Sequence, residues 1–495
     1  MRQRLWRPAT PLFALVLGAY AYFYQAGGWN QNARFDLVRA LVEHGTLTID
    51  AYAENTEDKA ERDGHFYSDK APGVSLMAVP MYAVLHAVAG HLRETDRFQA
   101  WASYLCTLWA VSLPSAVGVV MLYLLYGVLG LPPLVGAAVA LAYALGTLAF
   151  PYSTLLYGHQ PAAAFALIAF VLLAQARHGH PGSPVGRARL LAAGLALGWA
   201  VVIEYPAVLS VAVIGLYSLA WVRPRPRLAW MALGAVVALA VLFTYHGLAF
   251  GGPFTLPYRF SIQQPRHRGF FMGLGIPSAR TLYYILLDEY RGLFYGSPWL
   301  LLAVPGAWLL LSDRRFRAEG AVCAAVALLY VALNASLTDW HGGWGMGPRH
   351  LVSTLPFLAL AVTGIEANGY RVAPGSVAAI SPRTRTAVRA AGGLAIGYSM
   401  FLMLVGTAVK PEVPRDVYRP YQQFLFPAFF EGHLALNTQS IDMVTGRGRS
   451  VRFAWNLGQR LGLAGGASLL PLALYAALTG GWLLVALRRE ASRPQ

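Results

Sequence analysis

Thirteen apolar runs follow one another along this chain, at roughly 9–25, 71–90, 100–128, 134–150, 160–176, 190–203, 206–222, 228–249, 298–311, 319–337, 350–365, 390–409 and 468–487. Runs of about twenty residues are what a helix needs to cross a bilayer, and in hydrocarbon each segment must satisfy its own backbone polar groups. Such a chain is expected to be an all-α polytopic membrane protein. Composition agrees: 56% of the residues are hydrophobic and 13% charged, against about 25% charged in a soluble domain. The net charge of +16 could suggest nucleic acid as a partner. The distribution of arginine excludes that reading, because the arginines cluster briefly between apolar runs, as in cytoplasmic loops. Cys106 and Cys323 both lie within apolar runs and imply no disulfide framework. The N-terminal "MRQRLWRPATPLFALVLGAYAYFY" is read as a retained first helix, since aromatic residues flank the one signal-like Ala19-Tyr20-Ala21.

The clusters set the topology. "MRQRLWR", "RHGHPGSPVGRAR", "RPRPR", "SDRRFR", "YRVAPGSVAAISPRTRTAVR" and "RREASRPQ" hold 19 of the 39 basic residues and only two acids, Asp313 and Glu490. All six share one side only if a single early run fails to cross. The run at 71–90, with Pro72, Gly73, Pro80 and His86, is the odd one. It is predicted to be a re-entrant or juxtamembrane helix, leaving about twelve spanning helices. The outward segments are then 26–99, 251–297, 338–349 and 410–467, and the first carries eleven of the 23 acids.

Most unusual polar residues then collect on that outward face. Asp36 and Arg39 share a face of a short amphipathic helix in "NQNARFDLVRALVEHGTL". Lys70, His159, Glu204 and Arg291 follow, and "DWHGGWGMGPRHL" supplies Trp340, Trp344, Arg349 and His350. Ionisable groups at membrane ends are costly unless used or paired, so their concentration on one side argues for a site. Each has a plainer alternative: Asp36 could pair with Arg39, Lys70 could snorkel, and the tryptophans could anchor at the interface. Gly342, Gly343, Gly345 and Gly347 predict a tight irregular turn.

Taken together, "RFDLVRALVEHGTL", "GHFYSDKAPGVSLMAVP", "TLAFPYSTLLYGH", "RGLFYGSPWLLLAVPG" and "WHGGWGMGPRHLVSTLPFL" resemble the GT-C superfamily of polytopic glycosyltransferases. The likeness is strongest to bacterial relatives of protein O-mannosyltransferases and of the lipid A aminoarabinose transferase. It covers residues 1–365, a GT-C-like catalytic module; residues 366–495, with the outer loop 410–467, match nothing comparable. The resemblance implies sugar transfer from a polyprenyl-phosphate donor at the outer, periplasmic face of the bacterial cytoplasmic membrane. The acceptor would be a glycan, glycolipid or protein. It implies Asp36 as general base, although family members often show an acidic pair where this chain has Phe35-Asp36. It also implies Lys70 as a contact to the donor phosphate.

The chemistry suits that assignment. Displacement at an anomeric carbon needs a base for the acceptor hydroxyl. A phosphate already leaves well, so cations can replace the second carboxylate of a glycosidase. Arg39, Lys70, Arg349 and Arg291 are assigned to the phosphate; Trp340, Trp344, His159, Glu204 and His350 to sugar or acceptor. No cofactor is expected, nor a metal, since Glu54, Glu57, Asp58, Glu61 and Asp63 lack ligand spacing. The rivals are a transporter or flippase, disfavoured by the lack of repeat symmetry, and a polysaccharide polymerase or ligase. The latter would use arginines of the 410–467 loop such as Arg415, Arg419, Arg447, Arg449, Arg452 and Arg460.

Overall fold

The computed structural model describes residues 2–179, 184–263, 273–371, 381–437 and 453–492; within these, the side chains of 2–6, 367–371, 382 and 385 are not described. Every apolar run is helical over most of its length. The long helices are α1 (Arg2–Ala21), α2 (Trp29–Arg39), α3 (Gly73–Ala89), α4 (Asp96–Thr107), α5 (Leu113–Val128), α6 (Pro133–Leu145), α7 (His159–Gly179), α8 (Arg187–Ile203), α9 (Val208–Trp221) and α10 (Leu228–Phe250). They continue with α11 (Ala279–Leu286), α12 (Ala303–Ser312), α13 (Arg317–Ser336), α14 (Leu355–Arg371), α15 (Pro382–Val409) and α16 (Leu470–Ala491). Among the described residues seven helical stretches are long and apolar enough to cross a membrane, with three shorter apolar helices besides. The protein is a polytopic helical membrane protein.

Small residues let the helices approach closely, as is usual where lipid offers no hydrophobic drive. A side chain at Gly194 would collide with the Met231 carbonyl of α10, and one at Gly234 with the Leu191 carbonyl of α8. Gly306 and Gly364 seat α12 against α14 in the same way.

Three arginine clusters meet at one end of the bundle. Arg177, His178 and Tyr217 all reach the buried Glu319 carboxylate, at 3.2, 2.8 and 2.6 Å. Arg227 donates to the Val185 carbonyl at 2.7 Å, and the His178 ring packs on Phe316 at 5.1 Å. The helix directions carry the other ends of α7, α8, α9 and α13 to the opposite end, where the first loop lies.

By length and apolarity α3 qualifies as a span. It starts with Gly73 pressed on the Ile203 backbone, at the C-terminal end of α8. From there it runs along α2 and antiparallel to α4: Cys106 donates to the Ala78 carbonyl at 3.8 Å, and Tyr82 meets Phe35 and Phe98 at 5.5 and 6.1 Å. Val84 and Val88 are exposed one turn apart on α3, an apolar face suited to lipid. The structure seats α3 between α2 and α4; the reading of it as a juxtamembrane helix rests on charge parity.

Two small sheets depart from an all-helical reading. The run at 9–25 does not stay helical: after Ala21 it becomes β1 (Phe23–Gln25), paired antiparallel with β4 (Ala454–Asn456). In the first loop β2 (Lys59–Arg62) and β3 (His65–Ser68) form a hairpin. Asp63 and Gly64 turn it with φ of 53° and 79°, the left-handed pair that suits a tight hairpin. The C-terminal region is woven into the same body. Besides β4, α16 packs along α1, with the Tyr475 hydroxyl donating to the Ala14 carbonyl at 2.7 Å.

Candidate functional site

Helix α2 has two polar faces with different surroundings. With about 100° per residue, Asn30 and Arg34 lie on one side, and Asn32, Asp36 and Arg39 on the other.

The first side opens on a cavity of about 310 Å³ at the end of the bundle away from the arginine clusters. Arg34, Lys70, His159, Glu204, Arg349 and His350 line it, with apolar walls from Leu209, Leu256, Leu333 and Leu337. The Arg34 guanidinium donates to Asn30 Oδ1 (3.1 Å), the Ala71 carbonyl (3.1 Å) and Glu204 Oε1 (2.7 Å). His159 Nδ1 is 3.7 Å from the same carboxylate, and its ring meets His350 edge-on at 5.7 Å. Gly158 is required there, because a side chain would strike Glu204.

The hairpin explains Lys70. Its register pairs Lys59 with Ser68, so the residues just outside it, Asp58 and Asp69, are neighbours. The Lys70 ammonium sits between them, 2.7 Å from Asp58 Oδ2 and 3.0 Å from Asp69 Oδ1. Burial of these charges is tolerable only because they are paired.

Arg349 enters from the glycine-rich turn, where Gly342, Gly343 and Gly347 all have positive φ. A side chain at Gly342 would strike the Arg349 side chain. The guanidinium lies 5.8 Å from the Tyr157 ring, and its buried Nε has no hydrogen-bond partner. Beside it, Tyr157 donates to Glu412 at 2.5 Å. Lys410 is wholly buried, its ammonium without a hydrogen bond and its pKa pushed down to about 8 by that burial.

The other face of α2 looks into a smaller pocket of about 60 Å³, lined among others by Asn32, Asp36, Arg39 and Asn55. Asp36 is 1% exposed; Oδ1 accepts from Asn55 at 3.1 Å and the buried Oδ2 has no partner. Burial raises its pKa to about 7, against the opposing pull of Arg39. Arg39 itself pairs with Glu43 at 3.1 Å and stacks on Tyr52 at 3.9 Å.

Lys70, His159, Glu204, Arg349 and His350 are therefore brought together, whereas Asp36 and Arg39 are held apart from them. Arg291 does not line the cavity: it is buried and donates to the Gly345 carbonyl and, at 2.8 Å, to that of Gly343, pinning the glycine-rich turn. Trp340 lies in a separate groove, and Trp344 packs near Lys410 (5.8 Å). Among the late-loop arginines, Arg460 stacks on Trp101 and Trp455 at 5.4 and 5.1 Å. Arg447, Arg449 and Arg452 lie outside the described residues. Among the described residues no three His, Cys, Asp or Glu side chains converge as a metal site would require. Sequence reasoning missed Asn30, Arg34, Asp58, Lys410 and Glu412. The Asn30–Arg34 spacing on α2, and ionisable residues directly after the apolar α15, were the available signals.

No family model and no curated protein matches the chain. Solved structures do. ArnT from Cupriavidus metallidurans bound to undecaprenyl phosphate is similar at a TM-score of 0.50 and 18% identity, over 98% of this chain and 76% of that one. Its apo state gives 0.50 and 18%, over 96% and 75%. The archaeal oligosaccharyltransferase AglB from Archaeoglobus fulgidus, in complex with an inhibitory peptide and a dolichol-phosphate, gives 0.50 and 11%, over 90% of this chain and 60% of that one. At these identities what is shared is the fold, and it is the GT-C fold that the motifs resemble.

Proposed function

We propose that the protein is a membrane glycosyltransferase that moves a sugar from a polyprenyl-phosphate carrier to an acceptor hydroxyl. The observation that carries this reading is the convergence of Arg34, Lys70 and Arg349 on one cavity with apolar walls. Cationic groups suit a phosphate, and the leucines suit the first isoprene units. The likeness to folds solved with undecaprenyl phosphate and dolichol-phosphate supports the same donor class. By the positive-inside rule the cavity faces away from the cytoplasm, which is the side without nucleotide sugars.

In the proposed reaction the acceptor oxygen attacks the anomeric carbon as the bond to the phosphate oxygen breaks. The hydroxyl proton passes to a carboxylate, and polyprenyl phosphate leaves with the bonding pair, its charge held by the cations. Glu204 is our choice of base, because it lines the cavity beside them. Asp36 is the second reading, favoured by one observation: a carboxyl poised near pH 7 with an oxygen free to take a proton.

The test is purified protein in lipid with a panel of labelled polyprenyl-phosphate sugars. Lys70→Ala and Arg349→Ala should each weaken donor binding about tenfold or more. Glu204→Gln should abolish turnover and keep donor affinity; the converse result, with Asp36→Asn inactive and Glu204→Gln active, selects the second reading. Chelation of divalent ions should leave turnover unchanged. Failure of every donor in the panel to bind or react would reject the assignment.

A further inference from the structure

A second concavity, of about 460 Å³, adjoins the cavity without sharing a lining residue. The partition is a few residues thick: Thr338 and Asp339 face the cavity, while Trp340 and His341 face this groove. Three distant segments build it. Arg280 and Tyr284 stand one turn apart on α11, Trp340 comes from the glycine-rich turn, and Arg415 and Tyr418 come from the segment after α15. The rings are ordered. Trp340 and Tyr284 stack at 5.3 Å and 21°; Tyr290 stands edge-on to Trp340 at 6.1 Å and lies 5.3 Å from Tyr418. Tyr290 also donates to the Arg415 carbonyl at 2.6 Å, tying the late segment to the floor.

Aromatic anchors at a membrane surface are normally dispersed over a convex belt. Here they line a hollow of ligand-pocket size, and its rim carries cations. The Arg280 guanidinium stands 5.7 Å from the Tyr284 ring centre, and Arg415 is largely exposed, with Asp416 at 3.7 Å as the one acid in the lining among the described residues. Flat aromatic faces suit the C–H faces of pyranose rings, and exposed guanidinium groups suit carboxylate or phosphate substituents.

We propose that this groove binds the acceptor, and that the acceptor is an anionic saccharide. This rests on reading the neighbouring cavity as the donor site. A ring seated on Trp340 would present its next hydroxyl across the Thr338–His341 partition towards the sugar of the donor.

The experiment uses the full chain in lipid nanodiscs and two probes of equal length, a galacturonate trisaccharide and the neutral galactose trisaccharide. Titration should show the uronate binding at least about tenfold more tightly, as expected for one or two charge-assisted contacts. Trp340→Ala should lose binding of both, and the double variant Arg280→Gln/Arg415→Gln should reduce the uronate to the neutral level. Polyprenyl-phosphate binding, measured on the same samples, should be unchanged in every variant and so reports both folding and the donor site. Equal affinity for the two probes overturns the anionic assignment, and no binding of either overturns the groove. Either result alongside intact polyprenyl-phosphate binding leaves the donor reading standing; loss of that binding in the wild type would instead strike the donor reading.

Discussion

Asp36 is a carboxylate that folding makes more basic. Desolvation raises its pKa to about 7, because Arg39 has its own partner in Glu43 and only Asn55 donates to it. For an acid whose folded pKa lies above its unfolded one, the folded state binds the proton more tightly. The stability contribution is intact below the unfolded pKa of about 4, declines as pH rises through the interval, and is lost above about 7. Asp36→Asn, which mimics the protonated form, should therefore raise the melting temperature much more at pH 8 than at pH 5. Thermal unfolding of both proteins at the two pH values measures this, and a pH-independent difference would contradict the raised pKa. The same residue illustrates what spacing can and cannot reveal. The i, i+3 relation correctly puts Asp36 and Arg39 on one face of α2. Which of its two polar faces meets the cations is decided by α3 and the hairpin, and no local pattern encodes that.

At the scale of elements, the long bundle helices were legible because each is an apolar run, whereas the short polar α2 was legible only from its amphipathic spacing. Gly73 explains how α3 attaches: an added methyl would meet the backbone of Ile203, which cannot yield as a side chain could. Gly73→Ala should cost about 1–3 kcal/mol, the range for overpacking, and loosen α3 from α8 without altering the helices themselves. Thermal melting, with circular dichroism as the check on helix content, would show it. The hairpin was not read, although Asp63-Gly64 between Lys59–Arg62 and His65–Ser68 is a strong turn signal. In a chain dominated by apolar runs, two four-residue strands carry little weight. Yet the hairpin aligns Asp58 and Asp69 around Lys70. Gly64→Val would force a β-branched residue to a φ of 79°, straining the turn by about 1–2 kcal/mol. Donor affinity should fall with it, since Lys70 would lose its two carboxylate anchors.

At the scale of the molecule, the charge asymmetry organises everything else. Arginines 177, 227 and 317 lie at one end and the cavity lined by Arg34, Lys70 and Arg349 at the other, so that the proposed function depends on which end faces out. The late region could not be matched by motif, yet it contributes β4, α16 against α1, and Val413, whose carbonyl accepts from Gly345 at 3.0 Å. Contacts between residues hundreds of positions apart leave no trace in a single sequence. The orientation itself is directly testable. Both native cysteines are buried and should stay silent towards a membrane-impermeant maleimide. His91→Cys, in the exposed turn between α3 and α4, should label in intact cells; Arg225→Cys and Arg315→Cys, both at exposed positions, should label only after permeabilisation. If α3 crossed the membrane, its two ends would lie on opposite sides, and a cysteine in place of Asp63 would label from the side opposite to His91→Cys. Matching labelling at 63 and 91, against opposite labelling at 225 and 315, is the pattern that only a non-crossing α3 produces.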